Sequence, residues 1–74
     1  MERNELSHLL TAMRIKQIST ATIAALIGTT EKTAYNKLHG ESDFSVPEAL
    51  KIHENMFPEY SFSYLFQSQA EKPA

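Results

Sequence analysis

The sequence contains no cysteine among its 74 residues. This absence excludes disulfides and zinc sites built on thiolates, and it agrees with a reducing compartment. The chain also lacks an apolar run of the roughly 20 residues that a membrane-spanning helix needs, and residues 1–5 lack the apolar segment of a signal peptide. We therefore expect one small cytoplasmic domain with a single hydrophobic core and no membrane contact.

No large excess of one charge is present, since the formal net charge is −2 at pH 7. That balance argues against a protein that binds polyanions without selectivity. The charges are unevenly placed, because residues 14–39 carry Arg14, Lys16, Lys32 and Lys37 against Glu31 alone, whereas residues 40–74 carry an excess of carboxylates. Positive charge is therefore concentrated in the middle of the chain.

Motifs for catalysis or cofactor binding are also missing from the sequence. It has no glycine-rich phosphate loop, nucleophile elbow or paired-carboxylate motif. No two of His8, His39 and His53 have the i, i+3 or i, i+4 spacing of metal ligands on one helix. A single small core leaves little room for a substrate pocket. We expect no enzymatic activity, metal, cofactor or small-molecule ligand.

What is present is a series of amphipathic segments with capping residues at their ends, which predicts four or five helices and no strand. Helix 1 is predicted from an N-cap at Asn4 to about Arg14–Lys16, with an inward face formed by Leu6, Leu9, Leu10 and Met13. Arg14 and Lys16 at its end either complement the helix dipole or contact phosphate. The stretch Ser19–Gly40 then predicts two short helices joined by a tight turn.

Ser19 is the predicted N-cap of helix 2 (about residues 19–27), and Gly28 ends it in a left-handed conformation. Thr30 caps helix 3 (about residues 30–39), and Gly40 closes it. Only Ala34 and Leu38 of helix 3 point clearly inward, so most of this helix is expected to be exposed. We interpret the stretch as a helix-turn-helix within an all-α, compact four- to five-helix bundle.

After a loop in which Phe44 turns inward, Ser45 and Glu48 predict a capping box for helix 4. Its inward side is expected to be Val46, Ala49, Leu50, His53, Met56 and Phe57, with His53 partly buried. Pro58 ends this helix, and Ser61 caps a last short helix over residues 62–66. The predicted domain covers residues 1–66, and residues 67–74 are expected to be a flexible tail.

The central stretch resembles the helix-turn-helix domain of the Cro and phage-repressor (XRE-like) family, which has the lambda-repressor-like fold. The matching residues are Ile23-Ala24, Gly28, Thr30, Ala34, Leu38 and Gly40, together with Glu48-Ala49-Leu50-Lys51-Ile52 and Ser63-Tyr64-Leu65-Phe66. The run Glu31–Leu38 with Gly40 and Asp43-Phe44 is similar to small phage and prophage regulators of low-GC bacteria. Thr20 departs from the family, which commonly has glutamine there, and Glu31 replaces a frequent Gln, Arg or Ser.

The resemblance implies a sequence-specific transcriptional regulator that inserts helix 3 into the major groove of operator DNA as a homodimer. The base-contacting candidates are Glu31, Lys32, Thr33 and Asn36, and the phosphate-contacting candidates are Thr20, Thr30, Tyr35, Lys37 and His39. Each also has a simpler interpretation. The outward residues form a solvated helix face, Glu31 stabilises the first helical turn, and the two threonines are caps or near-caps.

The C-terminal aromatic cluster is the candidate dimer interface, formed by Tyr60, Phe62, Tyr64, Leu65 and Phe66. Its alternative role is closure of the core over helices 1 and 4. A second functional hypothesis is a helix-turn-helix fold used for protein binding, as in an antirepressor or a regulator partner. The acidic total, Glu31 and the missing glutamine motivate that alternative.

Overall fold

The computed structural model describes residues 5–67, and within this range the chain folds into five helices with no strand. The helices are α1 (Ser7–Lys16), α2 (Thr20–Ile27), α3 (Glu31–Leu38), α4 (Val46–Met56) and α5 (Phe62–Leu65). The predicted all-α class is therefore confirmed. The Cα radius of gyration, 11.2 Å, is that of a compact domain of this length, for which about 11 Å is expected. None of the described helices is long and apolar enough to cross a membrane.

Hydroxyl side chains begin four of the five helices, as the sequence predicts. The side chains of Ser19, Thr30, Ser45 and Ser61 each accept the backbone N–H of the residue three positions later. Such caps satisfy donors that the first turn of a helix leaves unpaired. The helix starts are therefore specified locally, which explains why they could be predicted.

The start of α1 is the exception, and the prediction for it is wrong. The helix begins at Ser7, with Leu6 at the N-cap position and no side-chain cap. Leu6 is almost fully buried, and its N–H donates to the carbonyl of Leu38 at 3.0 Å. This contact with α3 holds Leu6 outside the helix. Asn4, the predicted cap, lies outside the described residues, as does the predicted tail apart from Gln67.

The core contains buried residues of all five helices and of the segments that connect them. Helix α2 packs against α3 and α4, and α5 packs against α1 and α4. Within residues 5–67 the buried residues are all apolar, and the largest fully buried side chains are Phe57, Leu6, Leu9, Ile23, Leu38, Ile52 and Leu65. Phe44 is buried as predicted, with its ring 5.9 Å from that of Phe66 in an edge-on arrangement.

The inward face of α4 differs from the prediction. Val46 and Leu50 are 67% and 41% exposed, whereas Ala49 and Ile52 are buried. Residues 49, 52 and 56 lie within about 60° of one another around a helix, so they form one stripe that α2 and α5 cover. Rotating α4 to bury Val46 and Leu50 would expose this stripe, so the helix buries only one of its two apolar sides.

Candidate nucleic-acid interface

Helix α3 is joined to α2 by a three-residue turn, and the two helices pack against each other. Gly28 has a φ of 74°, and the N–H of Thr29 donates to the carbonyl of Ala24 at 2.9 Å. The left-handed glycine therefore ends α2 as predicted and redirects the chain into α3.

The outward face of α3 follows from its two buried residues. Ala34 and Leu38 are completely buried. Since successive residues rotate by about 100° around a helix, Lys32, Thr33 and Asn36 lie on the opposite side. Lys32 is exposed, and Thr33 and Asn36 are half-buried. These three predicted base-contacting residues therefore share one face.

Hydroxyl pairs occupy the N-termini of both helices. Thr30 Oγ1 accepts the N–H of Thr33 at 3.2 Å and donates its proton to Thr33 Oγ1 at 2.9 Å. Ser19 and Thr22 repeat this arrangement in α2, with 3.0 Å between their hydroxyl oxygens. The Thr30 hydroxyl therefore already donates its proton to Thr33, whereas the Thr33 hydroxyl does not donate its proton to Thr30. Of this pair, Thr33 is the better placed to donate to a ligand.

Lys37 was predicted to contact phosphate, but its ammonium group lies against a carboxylate of the same chain. Its Nζ donates to Glu48 Oε1 at 2.7 Å, and it lies 5.9 Å from the centre of the Phe44 ring. The hydrogen bonds from Lys37 and from the Ser45 backbone N–H hold the pKa of the Glu48 carboxyl below its ordinary value of 4.5. This ion pair connects the last turn of α3 with the first turn of α4.

His39 and Tyr35, also predicted phosphate contacts, form a second link. His39 Nδ1 lies 2.8 Å from Glu5 Oε2, and its ring centre is 4.1 Å from that of Tyr35. Tyr35 remains 51% exposed. The histidine thus has a carboxylate partner, while the tyrosine still presents half of its surface to a ligand.

Five of the predicted DNA-contacting residues have no side-chain hydrogen bond or ion pair within residues 5–67, namely Thr20, Glu31, Lys32, Tyr35 and Asn36. Glu31 and Lys32 are exposed at the start of α3, and Thr20 is half-buried at the start of α2. Neighbouring charges of opposite sign leave this end of α3 with no net charge from its side chains. The outward face can therefore select a ligand by hydrogen bonds, but it attracts polyanions weakly.

The two basic residues at the end of α1 differ in their surroundings. Lys16 Nζ donates to the carbonyl of Met56 at 2.8 Å, lies 2.6 Å from Glu59 Oε2 and is 5.3 Å from the centre of the Phe57 ring. It therefore binds the C-terminal end of α4, which the sequence did not reveal. Arg14 is exposed.

The predicted dimer cluster is divided between core and surface. Leu65 and Phe66 are buried in the core and have almost no surface to offer a partner. Tyr60 and Phe62 are half-buried, and Tyr64 is 43% exposed. Part of the cluster therefore closes the core, as the alternative interpretation expects, and Tyr64 presents the largest apolar surface of the remainder.

Histidines hold this C-terminal segment in place. The rings of His8 and Tyr64 stack with 4.1 Å between their centres, and His8 Nδ1 lies 2.9 Å from the Tyr64 carbonyl. His53 is half-buried, as predicted, with Nε2 2.6 Å from the Tyr60 carbonyl. No group of three His, Asp or Glu side chains in residues 5–67 is arranged to hold a metal ion.

Sequence reasoning missed the second partner of Glu48. It identified the capping box, and both of its hydrogen bonds are present, but Lys37 stands eleven positions earlier and no local pattern links the two residues. Beside the pair lies a shallow cavity of about 230 Å³ that is lined by Ile27, Pro47, Glu48 and Lys51.

Comparisons with protein-family models, with curated proteins and with solved structures give no match to this chain. The functional assignment therefore depends on the chemistry and placement of the side chains described above.

Proposed function

We propose that this protein is a sequence-specific DNA-binding transcriptional regulator of Cro or repressor type that acts in the cytoplasm of a bacterium. Its α2–turn–α3 unit is a helix-turn-helix, and α3 enters the major groove of operator DNA. The observation that carries the proposal is the outward face of α3, where Lys32, Thr33 and Asn36 lie together opposite two buried residues. The proposal includes no enzymatic activity and no cofactor.

The side chains on this face match the groups that bases present in the major groove. Lysine donates to O6 and N7 of guanine, and asparagine forms two hydrogen bonds with adenine. The methyl group of Thr33 fits against a thymine methyl. The groove is about 12 Å wide and accepts one helix with its side chains. Lys32 and Asn36 are four residues apart, so they lie one above the other along the helix.

Phosphate contacts would come from the flanks of α3 and the start of α2. Tyr35 and Thr20 have no hydrogen bond from their side-chain oxygens to the described residues, and a phosphate would accept one from each. So few cationic contacts give a monomer low affinity, because the phosphate backbone supplies most of the binding free energy. A homodimer on two half-sites would double these contacts, and Tyr64 is the residue of the C-terminal cluster best exposed for it.

Asn36→Ala tests the base-reading role. Duplexes selected from a random pool by the wild type would be measured by fluorescence anisotropy, each with single base-pair changes. We expect the substitution to cost about 1–3 kcal/mol and to remove the preference at one base pair. Asn55→Ala on α4 is the matched control, since Asn55 is exposed and donates only to the carbonyl of Lys51.

Two results would contradict the proposal. Failure of the folded wild type to bind any duplex at low salt would exclude DNA as the ligand. An equal loss for all sequences in Asn36→Ala would place this residue on the backbone instead of a base.

Binding of another protein is the second candidate function. It is favoured by the carboxylate partners of Lys37, His39 and Lys16, which reduce the positive charge available to DNA. The exposed Tyr35 ring on α3 is of the kind that is enriched at protein interfaces. A partner held in this way would bind with little dependence on salt, whereas a duplex would dissociate as salt rises.

A further inference from the structure

The Glu48 carboxylate is fixed in position before it meets Lys37. Its Oε1 accepts the backbone N–H of Ser45 at 3.0 Å, and Ser45 Oγ accepts the N–H of Glu48 at 3.3 Å. Lys37 Nζ donates to the same Oε1 at 2.7 Å. The carboxylate cannot swing away without breaking the capping box of α4, so it presents the lysine with a stationary anion.

The pair is also more protected from solvent than the Lys16–Glu59 pair. The side chains of Lys37 and Glu48 are 16% and 24% exposed, against 31% and 53% for Lys16 and Glu59. Water and salt therefore screen their attraction less. The hydrogen bond from Lys37 is the largest cause of the lowered pKa of Glu48.

Lys37 lies where a phosphate contact would be expected. It follows Thr33 by four positions and is rotated by about 100° from Asn36 around the helix, so it is on the flank of the outward face. When a helix occupies the major groove, its flanks face the two phosphate backbones. Glu48 therefore lies beside the route that a phosphate would take to Lys37.

We propose that Glu48 competes with DNA phosphate for Lys37. In the free protein this lysine is paired with Glu48, so the protein binds every duplex more weakly than it would with Lys37 available to phosphate. This inference rests on the proposed function. A phosphate has to compete with Glu48 for the Lys37 ammonium, whose charge the carboxylate already neutralises, so the lysine contributes little to counterion release. Because phosphates carry no sequence information, the effect is the same for operator and unrelated DNA.

Glu48→Gln isolates the effect, because the amide oxygen of glutamine still accepts the Ser45 N–H while the negative charge is lost. The probe is a mixed-sequence duplex of roughly 20 base pairs, or two helical turns, titrated at several KCl concentrations. We expect the slope of log K against log salt to steepen by about 0.9. Taking equal affinities at about 1 M salt as the reference, this slope corresponds to an affinity about eightfold higher at 0.1 M salt.

Glu54→Gln is the matched control for net charge. Glu54 is an exposed residue of the same helix and has no cationic partner in residues 5–67. Its substitution should change the affinity by less than about twofold, since an exposed distant charge is screened. An equal gain in Glu54→Gln and Glu48→Gln would overturn the inference.

Lys37→Met completes the test. In the wild-type background it should leave the salt slope unchanged, because the pair already withholds the lysine, while the unpaired Glu48 carboxylate lowers the affinity at every salt concentration. In Glu48→Gln it should cancel the gain in slope. A reduced slope in Lys37→Met alone would show that Lys37 already binds phosphate, which overturns the inference even if Glu48→Gln does not fold. If Glu48→Gln binds with the wild-type slope, only this inference fails. If no variant binds a duplex at low salt, the proposed function fails with it.

Discussion

Gly28 offers the sharpest test of how the turn between α2 and α3 is formed. Its φ of 74° and ψ of 38° lie in the left-handed region, which L-residues enter at a cost of roughly 1–2 kcal/mol. A Cβ added at this position meets no atom within 4 Å. Gly28→Ala should therefore destabilise the fold through backbone conformation alone, without steric overlap.

The expected magnitude is a difference between two effects. Alanine destabilises the folded chain by the cost of the left-handed conformation. It also loses less conformational freedom on folding than glycine does, and this offsets about 0.4–1 kcal/mol of that cost. The net loss of unfolding free energy is then about 1 kcal/mol, which lowers the melting temperature of a domain of this size by roughly 4–8 °C. The free energy of unfolding of Gly28→Asn should lie between those of the wild type and Gly28→Ala, because asparagine tolerates this conformation.

Gln17 provides the opposite substitution in the same molecule. It ends α1 with a φ of 58°, and its side chain is exposed. Gln17→Gly should relieve the same backbone cost and stabilise the fold by about 0.5–1 kcal/mol. Gly28→Ala removes glycine from a left-handed position, and Gln17→Gly introduces glycine at one. Their effects on the free energy of unfolding must therefore have opposite signs.

Thermal and urea unfolding followed by circular dichroism would measure both free energies. A neutral Gly28→Ala would mean that the turn relaxes into another conformation, and a loss above about 3 kcal/mol would mean that the added methyl group meets a neighbour after all. A destabilising Gln17→Gly would contradict the backbone argument directly.

Three further predictions concern α4 and its neighbours. Ile52→Ala should lower the free energy of unfolding, measured by urea titration, by about 2–5 kcal/mol. Val46→Ala should change it by no more than roughly 0.5 kcal/mol, since only the Ile52 side chain is buried. Comparable losses in the two variants would show that the helix is rotated. Lys16→Met should lower the melting temperature while Glu59→Gln leaves it nearly unchanged, because only the first substitution deprives the carbonyl at the end of α4 of its donor. The folded state lowers the pKa of Glu48 below 4.5, so this carboxylate adds stability above that pH and loses its contribution as the pH falls through the lowered value. The difference in unfolding free energy between wild type and Glu48→Gln should accordingly shrink below pH 4.5, and a difference that stays constant with pH would contradict it.

The parts of the fold that sequence predicted are those with a local cause. A helix is favoured to begin where a serine or threonine side chain accepts the backbone N–H of the residue three positions later. This hydrogen bond is present at Ser19, Thr30, Ser45 and Ser61. Gly28 ends α2 for an equally local reason. The start of α1 could not be found in this way, because a hydrogen bond from Leu6 to Leu38, 32 positions away, determines it.

The predicted inward face of α4 was wrong at Val46 and Leu50 for a related reason. Val46 and Leu50 form an apolar pair at i, i+4, and so do Ile52 and Met56, on different sides of one helix. The sequence shows both sides, but which one is buried depends on where α2 and α5 lie, and this information is absent from any local window. The candidate site shows the same division between local and distant causes. The outward face of α3 follows from helical periodicity, but the carboxylate partner of Lys37 does not.

The ion pairs change what α3 contributes to binding. Two of the four cations in residues 14–39, Lys16 and Lys37, neutralise carboxylates of the C-terminal half, and Lys32 stands beside Glu31. The positive middle of the sequence is therefore largely balanced within the folded chain. A surface of this kind gains little affinity from phosphates, so under the proposed function selectivity would come from hydrogen bonds to bases and affinity from a second copy on the same DNA. Glu48 would then serve both the fold and DNA binding, because the capping box that begins α4 also holds the anion that we propose competes for Lys37.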